Sequence, residues 1–123
     1  MVCYEGACHC GAVSFEFESE TIDKGVRCNC TLCKRKGSIM SAFAMPPERL
    51  NIIAEEGAIS CYQFGALVAK HHFCKQCGVY TFHETRSMPG QLRVNLGCID
   101  AIKSTDLPFE ILNGAALLLE VSG

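Results

Sequence analysis

GACHCGAVSFEFE, residues 6–18, carries two signals at once. Its second half, 12–18, alternates strictly: Val13, Phe15 and Phe17 fall on one face, and Ser14, Glu16 and Glu18 on the other. A period of two is the mark of a half-buried strand. Its first half holds Cys8-His9-Cys10-Gly11. In extended chain, residues two apart point to the same side, so both thiols can reach one object while His9 points away. A strand that opens on paired thiols suggests a sheet anchored through sulfur.

Further strand candidates follow outward from it. SAFAMP (41–46) and LNIIAE (50–55) flank a turn at Pro46 and Pro47. ISCYQF (59–64), AKHHFC (69–74), VYTFHE (79–84) and QLRVNLG (91–97) come next, separated by the turn signals EEG, FGA and SMPG. Short strands at a spacing of about 10 residues predict a sheet-rich domain. The helical signal is confined to a turn or two after Cys30, through TLCKRKG, ending near Gly37. The tail LPFEILNGAALLLEVSG (107–123) fits strand or helix. The expectation is a mainly β fold, with residues 1–123 forming a single domain. A chain of 123 residues is long enough for one core.

Composition narrows the function classes. The chain is 49% hydrophobic and 20% charged, with a formal net charge of −2. That balance speaks against a general nucleic-acid binder, and CKRKG (33–37) reads as a local basic run in a solvated loop. The N-terminus MVCYEGACHCG lacks a basic region followed by an apolar one, so no signal peptide is read there. AALLLEV (115–121) is interrupted by Glu120 and too short to span a bilayer. No membrane partner and a cytoplasmic location are expected. In a reducing cytoplasm, ten cysteines point to metal binding in preference to a disulfide framework.

Seven of those cysteines fall in three tight groups. Cys74-x-x-Cys77-Gly78 has the form of a zinc knuckle, in which a tight turn aims two thiolates at one ion. A closed tetrahedral site needs two more ligands, and Cys8 and Cys10 can supply them. This predicts a structural Cys₄ site on Cys8, Cys10, Cys74 and Cys77. Cys28-x-Cys30-x-x-Cys33 remains, with no fourth cysteine at ligand spacing. Three protein ligands and an open position are how catalytic zinc is held. The expectation is two Zn²⁺ per chain, one structural and one catalytic, open and labile. A second partition stays open on spacing alone: Cys8, Cys10, Cys28 and Cys30 sharing one ion, with Cys33 joining the knuckle. An iron–sulfur cluster is a further use of the same ligands. Arg27, Lys34, Arg35 and Lys36 flank the three-cysteine group and offset its negative charge. Cys3, Cys61 and Cys98 stand alone and read as small buried apolar residues. Of the neighbours His71 and His72, one should face the core or a polar neighbour and the other solvent. Asp100 reads as a turn cap or a polar site group.

GACHCGAVSFEF (6–17), CNCTLCKRKG (28–37), FCKQCGVYTF (73–82) and LRVNLGCIDA (92–101) together resemble the glutathione-dependent formaldehyde-activating enzyme family, which also includes centromere protein V. The resemblance implies a β-tent fold, sheets clamped by zinc. It implies structural zinc on Cys8, Cys10, Cys74 and Cys77 and catalytic zinc on Cys28, Cys30 and Cys33. The implied activity is a carbon–sulfur lyase reaction, S-(hydroxymethyl)glutathione synthesis from a small thiol (glutathione) and an aldehyde (formaldehyde), or its reverse. Lys34 and Arg35 are the expected contacts to glutathione carboxylates. PFEIL (108–112), with Glu110, stands where many members carry a His-Ile pair and a Trp; this chain has no Trp. The competing reading is a non-catalytic zinc module that binds a partner or senses thiol redox state.

Overall fold

The computed structural model describes residues 1–65 and 67–114. Its elements run in the order β1 (Val2–Ala7), β2 (Val13–Ser19), β3 (Gly25–Cys28), α1 (Thr31–Lys36), β4 (Met40–Ser41), β5 (Asn51–Ala54), β6 (Ile59–Tyr62), β7 (Lys70–Cys74), β8 (Tyr80–Glu84), β9 (Leu92–Val94) and β10 (Phe109–Leu112). The fold is mostly β, as the strand pattern predicts.

The alternating stretch is β2, with Val13, Phe15 and Phe17 buried and Glu18 exposed. Burying three such side chains at about 1.5–3 kcal/mol each fixes which face turns inward. Antiparallel pairing with β1 on one side and β5 on the other makes the first sheet. β1 shows no apolar alternation because its two inward positions are Tyr4 and Gly6, and glycine gives no apolar signal.

A second sheet has the order β6-β7-β8-β9, antiparallel throughout. Its register lines up Tyr62, His71, His83 and Arg93 in one row and Cys61, His72, Phe82 and Val94 in the next. Directly paired residues share a face. One face therefore turns Phe82, Val94 and Leu92 into the main core with Tyr4, Phe15, Phe17, Met45 and Leu96. The other face carries His71, His83 and Arg93. Between His72 and Phe73 the register slips by one residue, so Phe73 faces Tyr80 where an unbroken ladder would present Thr81. This β-bulge moves Tyr80 onto the face of the two histidines.

The third sheet joins β10, β3 and β4 in that order, with β10 parallel to β3. Backbone bonds lock the parallel pair at both ends: Gly25 N–H to Pro108 O (3.0 Å) and Asn29 N–H to Leu112 O (3.1 Å). Isolated bridges Met40–Asn95 and Met45–Leu92 tie this sheet and its loop to the second.

Most expected strands form at their expected places. SAFAMP does not: strand is limited to Met40–Ser41, because Ser41 Oγ donates to Phe43 O (2.8 Å) and the chain turns there. The tail is strand over Phe109–Leu112; AALLLEV (115–121) lies outside the described residues. Among the described residues no helix is long and apolar enough to cross a membrane.

Candidate functional site

All ten cysteines are free thiols. Cys8 and Cys10 sit in the turn from β1 into β2, Cys74 ends β7, and Cys77 lies in the turn from β7 into β8. The four sulfurs lie within 4.8 Å of one another. Cys8 Sγ is 3.7 Å from Cys10 Sγ, which is 3.6 Å from Cys74 Sγ. Sulfurs bound at about 2.3 Å to one tetrahedral zinc stand about 3.8 Å apart, so the spacing fits the ion. Gly78 makes the knuckle turn at φ 78°, a left-handed conformation that a side chain would strain. The turn aims Cys77 N–H at Cys74 Sγ (3.5 Å), while Val13 N–H points at Cys8 Sγ (3.3 Å). Backbone N–H groups from Cys10 and Val79 draw the Cys77 thiol down to about 6. The Ala12 N–H favours the Cys10 anion, but desolvation and the neighbouring sulfurs push that thiol up to about 12. Four thiols contending for few protons are the donor set of a closed metal site.

Cys28 ends β3, Cys30 caps α1, and Cys33 lies on its first turn. Their sulfurs also lie within 4.8 Å of one another. Cys30 Sγ accepts the Cys33 N–H at 3.3 Å, and Gly37 closes the helix one residue past Lys36. The Cys28 and Cys33 thiols hold the Cys30 thiol well below its ordinary range, while sharing with Cys28 raises Cys33. Three thiolates around a divalent ion leave one net negative charge, and Lys36 stands beside them. Its Nζ lies 3.3 Å over the Tyr80 ring centroid. It is buried without a hydrogen-bond partner among the described residues. Burial lowers its pKa, and the charges of Cys33 and Cys30 work against that. The two clusters can each hold a metal ion, and both donor sets are compatible with zinc.

The three-cysteine cluster opens into a cavity of about 300 Å³. His71 and His83 line it from the second sheet, with Arg86 and Arg93, and Leu112, Asn113 and Gly114 close it from the end of β10. A Cβ on Gly114 would collide with Cys28 Sγ, so only glycine lets the chain approach that closely. Arg93 donates from Nη1 to Ser41 O (2.7 Å), and burial lowers its pKa. Burial also holds His71 down to about 4 and His83 to about 3, leaving both rings neutral at pH 7.

Lys34 and Arg35 sit exposed on α1 and do not line this cavity; Arg35 Nη1 donates to its own helix at Thr31 O (2.8 Å). Arg86 and Arg93 are the cations that do, and the sequence reading passed over both. His9 is exposed, as expected from its place between Cys8 and Cys10. His71 is buried, and His72 does not face open solvent: it is half-buried on the face of Phe82, stacked on that ring and 3.3 Å from Glu84. Of the lone cysteines Cys98 is buried, whereas Cys3 and Cys61 are exposed, Cys3 on an outward position of β1 and Cys61 near the end of the edge strand β6.

A crystal structure of a Rhodobacter sphaeroides protein is similar to this chain, with a TM-score of 0.75 and 35% identity over 85% of this chain and 98% of that one. The family model of the glutathione-dependent formaldehyde-activating enzymes matches residues 3–112, which span every described cysteine cluster and the whole cavity up to Leu112. With that match over most of its length, the chain belongs to the glutathione-dependent formaldehyde-activating enzyme family.

Proposed function

We propose that the protein is a zinc-dependent carbon–sulfur lyase of the S-(hydroxymethyl)glutathione synthase type, joining a glutathione thiol to formaldehyde or running the reverse. One observation carries the reading: the three-thiol cluster opens into a cavity lined by histidines and arginines, whereas the four-thiol cluster does not line it. On this reading Cys8, Cys10, Cys74 and Cys77 hold a structural Zn²⁺, and Cys28, Cys30 and Cys33 hold a catalytic one.

Zinc at the three-thiol site, when bound, supplies a point where a substrate thiol is held as thiolate and a carbonyl oxygen is polarised. The chain's own residues do the rest. The cavity walls bring sulfur and carbonyl carbon together and exclude bulk water. Arg86 and Arg93 offer charge to the substrate carboxylates, a task the exposed Lys34 and Arg35 are less well placed to perform. The new bond joins the thiol sulfur to the aldehyde carbon, and the carbonyl oxygen takes up the proton the thiol gave away. Free thiols in both clusters suit a reducing compartment, and the cytoplasm is the proposed location.

The test is zinc per chain in gently purified protein, together with the rate of glutathione–formaldehyde exchange above the spontaneous rate. Two ions and a clear acceleration are expected. Cys30→Ser is expected to stay folded, keep one ion and fall to the spontaneous rate. A wild type that binds zinc but never exceeds the spontaneous rate would turn the reading to a non-catalytic zinc or thiol-sensing module.

A further inference from the structure

Tyr80 Oη lies 2.9 Å from His71 Nδ1 and 2.6 Å from His83 Nδ1. The hydroxyl has one proton to give, and burial keeps it there by raising the phenol pKa. It therefore donates to one ring and accepts from the other; no third partner for it exists among the described residues. The two neutral imidazoles must then be opposite tautomers. The ring that accepts from Tyr80 carries its proton on Nε2, and the ring that donates to Tyr80 has a bare Nε2. Both rings line the cavity beside Cys28, Cys30 and Cys33. With each Nδ1 engaged, Nε2 is the nitrogen each ring has left for a bound molecule, and neither Nε2 has a partner among the described residues. One cavity thus holds a general base and a general acid joined by a phenol.

We propose that His71, Tyr80 and His83 form a proton relay that carries the thiol's proton to the aldehyde oxygen. The proposal rests on the thiol–aldehyde reading above. The bare Nε2 takes the proton as the S–H bond breaks. The same ring passes its Nδ1 proton to Tyr80, Tyr80 passes its own to the second ring, and that ring releases its Nε2 proton. The sulfur electron pair forms the C–S bond, the C=O π pair moves to oxygen, and the released proton completes O–H. Nothing is oxidised or reduced, and no charge accumulates. The rings end with tautomers exchanged, set for the reverse reaction, and water at the cavity mouth resets them. His71 and His83 are the catalytic residues of this scheme; Tyr80 acts through them.

Long-range ¹H–¹⁵N spectra of the zinc-loaded protein at pH 7 test the ground state without turnover. One ring protonated at Nδ1 and the other at Nε2 are expected; two rings of the same tautomer, or a charged ring, would overturn the relay. The second readout is glutathione–formaldehyde exchange followed by NMR. In Tyr80→Phe with its zinc retained, the rate is expected to fall about 100-fold, the contribution typical of positioned acid–base groups, with the thiol KM unchanged. A Tyr80→Phe variant that exchanges at the wild-type rate overturns the relay. Should that variant lose its metal, a proton inventory of the wild type in mixed H₂O and D₂O decides: a bowed dependence is expected, and a linear one, reporting a single proton, overturns it. A wild type no faster than the spontaneous reaction removes the activity itself, a failure visible before Tyr80 is touched.

Discussion

Gly114 shows how much one absent side chain can govern. A Cβ there would overlap Cys28 Sγ and crowd Cys30 Cβ at 3.2 Å. Gly114→Ala is expected to cost about 1–3 kcal/mol, the usual range for forcing an extra carbon into packed structure. Much of that falls on the three-thiol site, so zinc affinity there should drop about 10-fold or more while the four-thiol site keeps its ion. Competition with a chromophoric chelator reads both sites; equal affinities in variant and wild type would mean the chain end yields freely. The metal-ligand candidates were legible as a pattern because thiol spacing is local. The cavity's cations were not. Arg86 reads as a turn residue, and Arg93 as an outward position on a strand. Which of them meets the cysteines depends on how β8 and β9 pair, and that pairing is not written in either strand.

At the level of elements, alternation revealed β2, and spacing between turn signals revealed the strands near 59–64, 69–74, 79–84 and 91–97. It did not reveal β3, four residues long, or β10, whose residues are all exposed. β10 is held by backbone bonds to β3, and such bonds leave no hydrophobic signature. The side chains that flank the pair are modest additions: Lys24 Nζ sits 3.0 Å from Glu110, and the Arg27 guanidinium lies 5.1 Å over the Phe109 ring. Both partners of the ion pair are largely exposed, so solvent screens it. Glu110→Gln is expected to move the melting temperature by no more than about 4 °C, since exposed pairs contribute less than about 1 kcal/mol. A larger fall would mean that Glu110 does more for β10 than a surface charge can. The bulge between β7 and β8 is likewise invisible in the sequence, yet without its one-residue slip Thr81 would occupy the position that presents Tyr80 to the histidines.

Across the molecule, the four-thiol cluster binds segments far apart in the chain: Cys10 and Cys74 are 64 residues apart, their sulfurs 3.6 Å. A clip over so long a loop removes much of the unfolded chain's freedom. Cys77→Ser opens that clip. It is expected to lose one zinc and about 3 kcal/mol or more, lowering the melting temperature by about 10 °C or more. A variant that melts with the wild type would dissolve this role for the cluster. The division of labour between the two clusters was legible only as a count of thiols, four against three. What gives it physical content is the cavity, assembled from the second sheet, α1 and the end of β10.

The parallel β3–β10 pair also orders events during protein synthesis. Every ligand of the four-thiol clip has been synthesised once Cys77 is made, and the three thiols of the other cluster have been made earlier still. The wall that finishes their cavity, Leu112 to Gly114, arrives roughly 2–7 s later at ordinary elongation rates. Until then those three thiols stand open to any soft metal or oxidant in the cell. A chain truncated after Leu107 and freed from the ribosome is expected to keep one zinc against a chelator and surrender the second; tight retention of both would mean the cavity's metal needs no help from β10.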